Sequence, residues 1–324
     1  MIRMIKNESA YLIFDKPKNL NLKYYVKKGY VSIQNIAYSL CFRLASKCTH
    51  MKEKQYYVSI CAIFKNEGMY LKEWIEYHRL IGVQHFYLYN NNSSDNYLEV
   101  LSSFIKSGLV SLIDWPYDQA QMKAYKDCIE KYQGESNWIG FIDLDEFVVP
   151  IHNNSIVDFL VSFQNRSAVK IYWQVFGTSG LLDRDRDGLV IEDFTTCWRK
   201  HDEVGKCFYN TRFGFDPNWK YNKGLHHSFW GTWGHWHLPP VNCFGRICQR
   251  GYESVLTDDF PIQINHYFTK SYKEYIEKAS KGDVLFENNP HNLDYFYRHE
   301  MLVGKSDFTI YKYLVKLKQN MIHE

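Results

Sequence analysis

Three acidic residues interrupt the most hydrophobic stretch in the middle of the chain. The segment NWIGFIDLDEFVVP spans residues 137–150, so Asp143, Asp145 and Glu146 lie between two apolar runs. Two buried carboxylates without partners would each cost several kcal/mol or take up protons. A divalent cation removes that cost, and hard oxygen ligands suit Mg²⁺ or Mn²⁺. We therefore predict that Asp143 and Asp145 bind such an ion, and that Glu146 faces a basic group or the backbone.

The Asp-x-Asp pattern also fits a salt-bridged strand end that faces solvent, or the active site of a phosphatase. Phosphatases of the haloacid dehalogenase type place Asp-x-Asp after a hydrophobic strand, which would make Asp143 the nucleophile and Asp145 its partner. That family expects Gly after the second Asp and carries the motif on its first strand. Here Glu146 follows, and three predicted strands come earlier in the chain.

Strands and helices alternate in the sequence that leads to the acidic motif. Apolar runs rich in β-branched and aromatic residues predict strands at 56–64, 85–90, 109–115 and 138–144. Between the first two strands, Leu71, Trp74, Ile75 and His78 fall on one helical face. This order predicts parallel strands joined by crossover helices in an open, doubly wound α/β sheet. Ligands of such sheets bind beyond the carboxyl ends of the strands, where Asp143 lies.

The rest of the chain predicts extensions to this sheet. We expect an N-terminal extension over residues 1–55, partly helical near 33–47, and an α/β domain over 56–283. The domain would include later strands at 168–177 and 262–268, and a helix from 271 with Ser271 as its cap. Residues 284–324 predict a C-terminal helical tail.

Composition excludes some functional classes. The net charge of +3, without a Lys/Arg block, argues against a nucleic-acid partner. Eight scattered cysteines indicate reduced thiols, and neither a signal-peptide pattern nor an apolar run of about 18 residues is present, so we expect a cytoplasmic protein. Aromatic residues make up 17% and can stack on sugars, which leaves a non-catalytic carbohydrate-binding protein as an alternative. Such modules are mostly exported β-sandwiches, and neither feature is predicted here.

The stretch from Val58 to Pro150 resembles glycosyltransferase family 92 and its family 2 relatives. The matching segments are CAIFKNEGMYLKEWIEYHRLIGVQHFYLYNNNSSDN, GLVSLIDWP and WIGFIDLDEFVVP, and later YWQVFGTSG, LHHSF and INHYFTKSYKEYIEKASKG. The resemblance implies a GT-A fold, a Rossmann-like open sheet with helices on both faces. It also implies a transferase that uses Mn²⁺ or Mg²⁺ and moves a hexose from a nucleotide sugar to a glycan acceptor with inversion. Galactose from UDP-galactose is the expected donor group.

The resemblance further implies which residues contact the nucleotide sugar. The expected set is Ala62, Phe64, Asn66 and Glu67 after the first strand, Asn91 and Asp95 in the next turn, Gln121 at a helix N-terminus, and Asp143, Leu144 and Lys206. The turn holds Asn90 and Asn91 where related enzymes carry acids that read uracil, and an amide can also pair with the edge of that base. The same turn can simply cap the following helix.

Two histidines are candidates for a third metal ligand, because GT-A enzymes often use a His downstream of Asp-x-Asp. His266 follows a short apolar strand, and His226 lies in GLHHSF. Neutral imidazole is an acceptable ligand for Mn²⁺. Packing in the core or in a loop is the alternative for each.

An inverting transfer needs a general base for the acceptor hydroxyl. Asp183, Glu203 and Asp216 are the candidates after the metal motif, with Asp183 preferred because it follows the loop VFGTSG. The charged run around Asp183 can instead be a solvated loop.

The C-terminal segment FTIYKYLVKLKQN predicts a basic amphipathic helix. Ile310, Tyr313, Leu314 and Leu317 line one face, with lysines around it. This suits peripheral contact with an anionic membrane, with access to a lipid-linked glycan in surface polysaccharide or lipopolysaccharide synthesis at the cytoplasmic face. Packing against the body of the protein is the alternative.

Overall fold

The computed structural model describes residues 12–13, 19–49, 52–118, 120–222, 229–249, 251–253, 255–280 and 291–322. The helices are α1 Leu22–Cys48, α2 Gly68–Leu80, α3 Tyr97–Lys106, α4 Gln121–Tyr132, α5 Ile156–Val161, α6 Val190–Asp193, α7 Tyr272–Ser280, α8 Leu293–Glu300 and α9 Leu314–Ile322, with a 3-10 helix at Thr309–Tyr313. The strands are β1 Leu12–Ile13, β2 Tyr56–Phe64, β3 His85–Asn90, β4 Val110–Asp114, β5 Ser136–Phe141, β6 Glu146–Pro150, β7 Ala168–Val175, β8 Thr196–Trp198, β9 His201–Asp202, β10 Gly205–Asn210, β11 Gly214–Phe215, β12 Gly231–Trp233, β13 Trp236–Leu238, β14 Val241–Asn242, β15 Ile262–His266 and β16 Val303–Ser306.

The main sheet has the strand order β4-β3-β2-β5-β10-β7-β15-β6, and β14 pairs with β7. The four strands β2 to β5 are parallel, as the strand–helix alternation predicts. β10 lies antiparallel between β5 and β7, and β6 lies antiparallel to β15. The sheet is therefore mixed, and the predicted open α/β fold class is confirmed.

Helices cover both faces of the sheet. Successive side chains of β2 point to opposite faces, and each face carries its own hydrophobic cluster with a helix packed on it. Ala62 belongs to the same cluster as Trp74 of α2, and Cys61 belongs to the same cluster as Tyr125 of α4. A strand that is buried on both faces has a continuous apolar sequence, which explains the composition of β2.

The acidic motif lies in a turn. β5 ends at Phe141, three residues before the predicted end at Leu144, and the N–H of Glu146 donates to the carbonyl of Asp143 over 3.1 Å. β6 then starts at Glu146. The turn lies at the carboxyl end of β5, next to the carboxyl ends of β2 and β15 and the start of β10.

The two terminal segments pack on the sheet domain. α1 has 27 residues, more than the partly helical extension predicted, and buries Tyr24, Val31, Phe42 and Ala45. On the C-terminal side, Ile310 and Leu317 are buried, and α9 lies against α2. Packing against the protein body therefore accounts for the apolar face of the tail. None of the described helices combines the length and the apolar character needed to cross a bilayer.

Gly205 is expected to be intolerant of any side chain. A Cβ atom there would lie 1.9 Å from the carbonyl oxygen of Ile171 on β7. We expect Gly205→Ala to lower the free energy of unfolding by about 3 kcal/mol, because β10 must move away from β7. Urea unfolding measures this. Gly134→Ala is the control, since nothing lies within 4 Å of that position. A Gly205→Ala protein as stable as the control would contradict the β10–β7 pairing.

Candidate active site

Asp143 is held by three side chains from two other elements. Its Oδ1 accepts hydrogen bonds from Gln121 Nε2 over 2.8 Å and from the Tyr125 hydroxyl over 3.0 Å. Its Oδ2 pairs with Lys206 Nζ over 2.7 Å. The carboxylate keeps 30% of its surface exposed, so it can still meet a ligand at the edge of the sheet. Gln121 and Tyr125 are one helical turn apart at the start of α4, which explains why both reach the same oxygen.

Lys206 lies in β10 with a fully buried side chain, between Asp143 and Glu146. Its Nζ is 3.6 Å from Glu146 Oε2, and the same oxygen accepts the backbone N–H of Asp143 over 2.9 Å. Burial alone would lower the pKa of Lys206, but the two carboxylates raise it above its usual value. Burial also raises the pKa of the Glu146 carboxyl, against the opposing effect of Lys206. The prediction that Glu146 faces a basic group or the backbone is confirmed, and Glu146 contacts both.

Asp145 points to a second basic cluster. Its side chain is buried, Lys278 Nζ contacts Oδ2, and His266 Nε2 lies 3.7 Å from Oδ1. Burial would raise the pKa of Asp145, but Lys278, His266 and Lys270 hold it well below its usual range. Asp145 is therefore ionised, and its negative charge faces nearby positive groups.

His266 ends β15 next to this carboxylate. Its ring packs on Trp173, with ring centroids 4.5 Å apart. Burial lowers the pKa of His266 to about 3, with Asp145 opposing the shift. The imidazole is consequently neutral at physiological pH and keeps a lone pair for a metal ion.

Asp145 and His266 fit part of a Mg²⁺ or Mn²⁺ site. Two ligand atoms at about 2.1 Å from one ion are at most about 4.2 Å apart, and these two atoms are 3.7 Å apart. Over the described residues, no three His, Cys, Asp or Glu side chains form a complete site. Such ions usually take further ligands from substrate phosphates and water. The other predicted ligand, His226, lies outside the described residues.

Helix α7 positions Lys278. Ser271 and Glu274 form a capping box, in which Ser271 Oγ donates to Glu274 Oε2 over 2.6 Å and accepts the Glu274 N–H over 3.3 Å. Glu274 Oε1 also accepts from the Tyr70 hydroxyl over 2.7 Å and from Arg184 Nε over 3.1 Å. Lys278 lies one turn after Glu274 on the same helical face. The predicted Ser271 cap is confirmed, and it fixes the direction in which Lys278 points.

Sequence reasoning missed Lys278 and Lys270 as site residues. Lys270 is buried, has a left-handed backbone with φ 49°, and places its Nζ 4.4 Å from the centroid of the Tyr70 ring. Strained backbone of this kind concentrates at functional sites. A usable signal was present, because basic residues flank the capping box Ser271–Glu274 directly after the strand that carries His266.

Three of the expected donor-contacting side chains are packed in the core. Ala62, Phe64 and Leu144 are almost fully buried. Asn66 lies in the following loop with φ 53°, and its Oδ1 accepts the Ser94 N–H over 2.7 Å. Glu67 occupies the N-cap position of α2.

Asn91 and Asp95 make contacts that organise the turn after β3. The Asn91 amide donates to the carbonyls of Trp115 and Tyr117, both over 2.8 Å. Asp95 Oδ2 accepts the N–H of Gly68 over 2.7 Å, at the start of α2. Asp95 therefore caps a helix, as the alternative interpretation of this turn predicts. The capped helix is α2, however, and not the helix that follows the turn. Contact of either residue with a nucleotide stays a prediction.

The three base candidates lie in different surroundings. Asp183 is on the surface and pairs with Lys273 over 2.6 Å. Asp216 pairs with His237 over 3.0 Å. Glu203 is buried beside β10, and its carbonyl accepts a hydrogen bond from Lys170. These described contacts do not select one of the three, so the identity of the base stays a prediction.

Residues 54–213 match the family model of glycosyltransferase family 92. A glycosyltransferase family 92 protein from Ricinus communis is 33% identical over 144 residues, which are 43% of this chain and 26% of that protein. Beta-1,4-galactosyltransferase galt-1 from Caenorhabditis elegans is 23% identical over 265 residues, which are 72% of this chain and 54% of that protein. The crystal structure of S. aureus TarS 1-349 in complex with UDP superimposes with a TM-score of 0.33 at 12% identity, over 48% of this chain and 47% of that one.

The match to the plant protein spans about a quarter of that relative's length. The matched residues 54–213 contain the Asp143–Glu146 turn, Gln121, Tyr125 and Lys206, which are the parts of the site built by the first half of the sheet. Residues 54–213 therefore form a glycosyltransferase family 92 region of this chain.

Proposed function

We propose that this protein transfers a hexose from a nucleoside-diphosphate sugar to a hydroxyl group of a glycan acceptor. The observation that carries the proposal is the placement of Asp143 and Asp145 at the carboxyl edge of the sheet, each paired with a lysine. A diphosphate leaving group needs positive charge close by, and this edge combines Lys206, Lys270 and Lys278 with two acids that can hold a cation. The match of residues 54–213 to glycosyltransferase family 92 supports the same chemistry.

Asp145 and His266 are the residues proposed to hold Mn²⁺ or Mg²⁺, with Asp143 beside them. Bound there, the ion would act as a Lewis acid toward the phosphate oxygens. The chain's own cations act in the same direction. Lys278 keeps 36% of its side chain exposed, so its Nζ can turn from Asp145 to a phosphate without a change in the backbone.

The transfer itself requires three changes at the sugar. The acceptor oxygen bonds to the anomeric carbon, the bond from that carbon to the diphosphate breaks, and a base takes the acceptor proton. We propose inversion by one displacement, with Asp183 first among the base candidates, ahead of Glu203 and Asp216. The exposed part of Trp173, next to His266, offers an aromatic face for the acceptor sugar.

Galactose is the proposed sugar and UDP the proposed nucleotide. The relative galt-1 is named as a beta-1,4-galactosyltransferase, and its match covers 72% of this chain. The name of a relative supports the choice of sugar without fixing the acceptor or the linkage.

Incubation of the purified protein with Mn²⁺ and a panel of nucleotide sugars tests the proposal. We expect release of UDP from UDP-galactose, with loss of at least about a hundredfold in rate after EDTA and recovery with excess Mn²⁺. Sugar binding that ignores both metal and nucleotide would instead support a carbohydrate-binding protein. Hydrolysis of a simple phosphate monoester, with no action on nucleotide sugars, would support the phosphatase alternative.

A further inference from the structure

Helix α1 is apolar on two opposite faces, and the protein covers one of them. The covered face consists of Tyr24, Val31, Phe42 and Ala45. The opposite face carries large apolar side chains that are 56–80% exposed, namely Leu22, Val26, Ile33, Ile36, Leu40 and Leu44. Exposed apolar patches of this extent mark interaction surfaces.

The exposed residues form one continuous stripe. Successive members are three, four or seven residues apart, which keeps them on one side of a helix with 3.6 residues per turn. The helix has 27 residues and is therefore about 40 Å long, and the stripe follows most of it. A solvent-facing helix normally has polar residues on this side. The stripe is therefore built to contact an apolar phase or partner.

The charges of α1 select the kind of partner. The helix contains five basic residues and no Asp or Glu between Leu22 and Cys48; the basic residues are Lys23, Lys27, Lys28, Arg43 and Lys47. Tyr25 and Tyr30 beside the stripe are 44% and 52% exposed. Apolar side chains flanked by tyrosines and lysines are typical of helices that lie in a lipid headgroup region.

We infer that α1 docks the protein on an anionic lipid surface, with the stripe buried in the headgroup layer. A second copy of this chain is the less favourable occupant, because stripe-to-stripe contact would bring two helices with five positive charges each together without any acidic residue between them. Anionic lipids neutralise these charges, because their negative surface potential attracts basic residues.

Helix α1 contacts Phe213, Ile247 and Tyr252, which belong neither to the proposed catalytic edge nor to the C-terminal helix. The inference does not depend on sugar transfer, since it uses only the composition and exposure of α1. If the proposed function also holds, the docked enzyme would meet acceptors that are linked to lipid.

Co-sedimentation of the full chain with lipid vesicles tests the inference. We expect binding to vesicles of phosphatidylglycerol and phosphatidylcholine, and much weaker binding to pure phosphatidylcholine. The triple substitution Ile33→Ser, Ile36→Ser and Leu40→Ser should weaken binding to the anionic vesicles by at least about tenfold, because it removes half of the stripe. Circular dichroism checks that the variant keeps its helix content.

The matched control is Val315→Ser with Ile322→Ser, which removes two exposed apolar side chains from α9. This control should bind vesicles as the unmodified protein does. Equal binding by the triple variant would overturn the inference. So would a protein that ignores anionic vesicles and forms a dimer which the triple variant dissociates, because that result identifies a second copy as the partner.

Discussion

Replacement of Lys206 by methionine is expected to destabilise the protein and to abolish sugar transfer. The side chain of Lys206 is fully buried between Asp143 and Glu146, and methionine keeps its apolar length without the charge. Removal of one partner from a buried ion pair typically costs about 3–5 kcal/mol. Here the Glu146 carboxyl, which is fully buried, would be left without a basic partner. We expect a loss of that size in the free energy of unfolding, measured in urea.

The Lys206 result has two controls. Lys106→Met removes an exposed lysine from α3 and should leave stability within about 0.5 kcal/mol. Lys206→Arg keeps the charge and should retain the folded state even if Lys206→Met does not fold. A Lys206→Met protein that unfolds at the same urea concentration as Lys106→Met would show that Lys206 does not compensate the buried acids.

Asp145→Asn is expected to lower kcat/KM for the nucleotide sugar by at least about a thousandfold. Removal of a preorganised electrostatic contact to a developing charge typically costs about a hundredfold to a thousandfold in rate. We expect a loss at or above the upper end of this range, because Asp145 also faces His266 across the proposed cation position. The amide has nearly the same shape as the acid, and Lys278 can turn its charge to solvent, so stability should fall much less than in Lys206→Met.

Asp158→Asn provides the comparison for Asp145→Asn, because it removes an exposed carboxylate from α5. That protein should keep full activity. The concentration of Mn²⁺ that gives half-maximal rate is a second readout, and it should rise in Asp145→Asn while Asp158→Asn leaves it unchanged. Full turnover by Asp145→Asn would show that Asp145 takes no part in the reaction.

The parts of the fold that follow from local periodicity were predictable. β2 matches its predicted bounds of 56–64, and the helix through Leu71 and Trp74 lies where its 3.6-residue period predicts. The position of the Asp143–Glu146 motif at a strand end, and of His266 at the end of another strand, followed from the same patterns. Both predictions needed only residues close in sequence.

The missed features depend on contacts between distant residues or on an absent period. Lys278 lies 133 residues after Asp145, which it contacts, so no local pattern links the two. The resemblance placed Lys206 at the site, but its pairing with Asp143, 63 residues earlier in the chain, was not predicted. The length of α1 was missed because apolar residues on both of its faces leave no helical period to read. The antiparallel insertion of β10 follows from tertiary pairing with β5 and β7, which its short apolar run does not specify.

The central claim is that the turn bearing the two aspartates holds a cation and a nucleoside diphosphate together. Calorimetric titration with UDP in the presence of Mn²⁺ tests this claim most directly. The unmodified protein should bind UDP, and omission of Mn²⁺ or substitution of Asp145 by Asn should weaken the binding by at least about tenfold. Unchanged affinity after both changes, with UDP still bound, would place the nucleotide elsewhere and contradict the account.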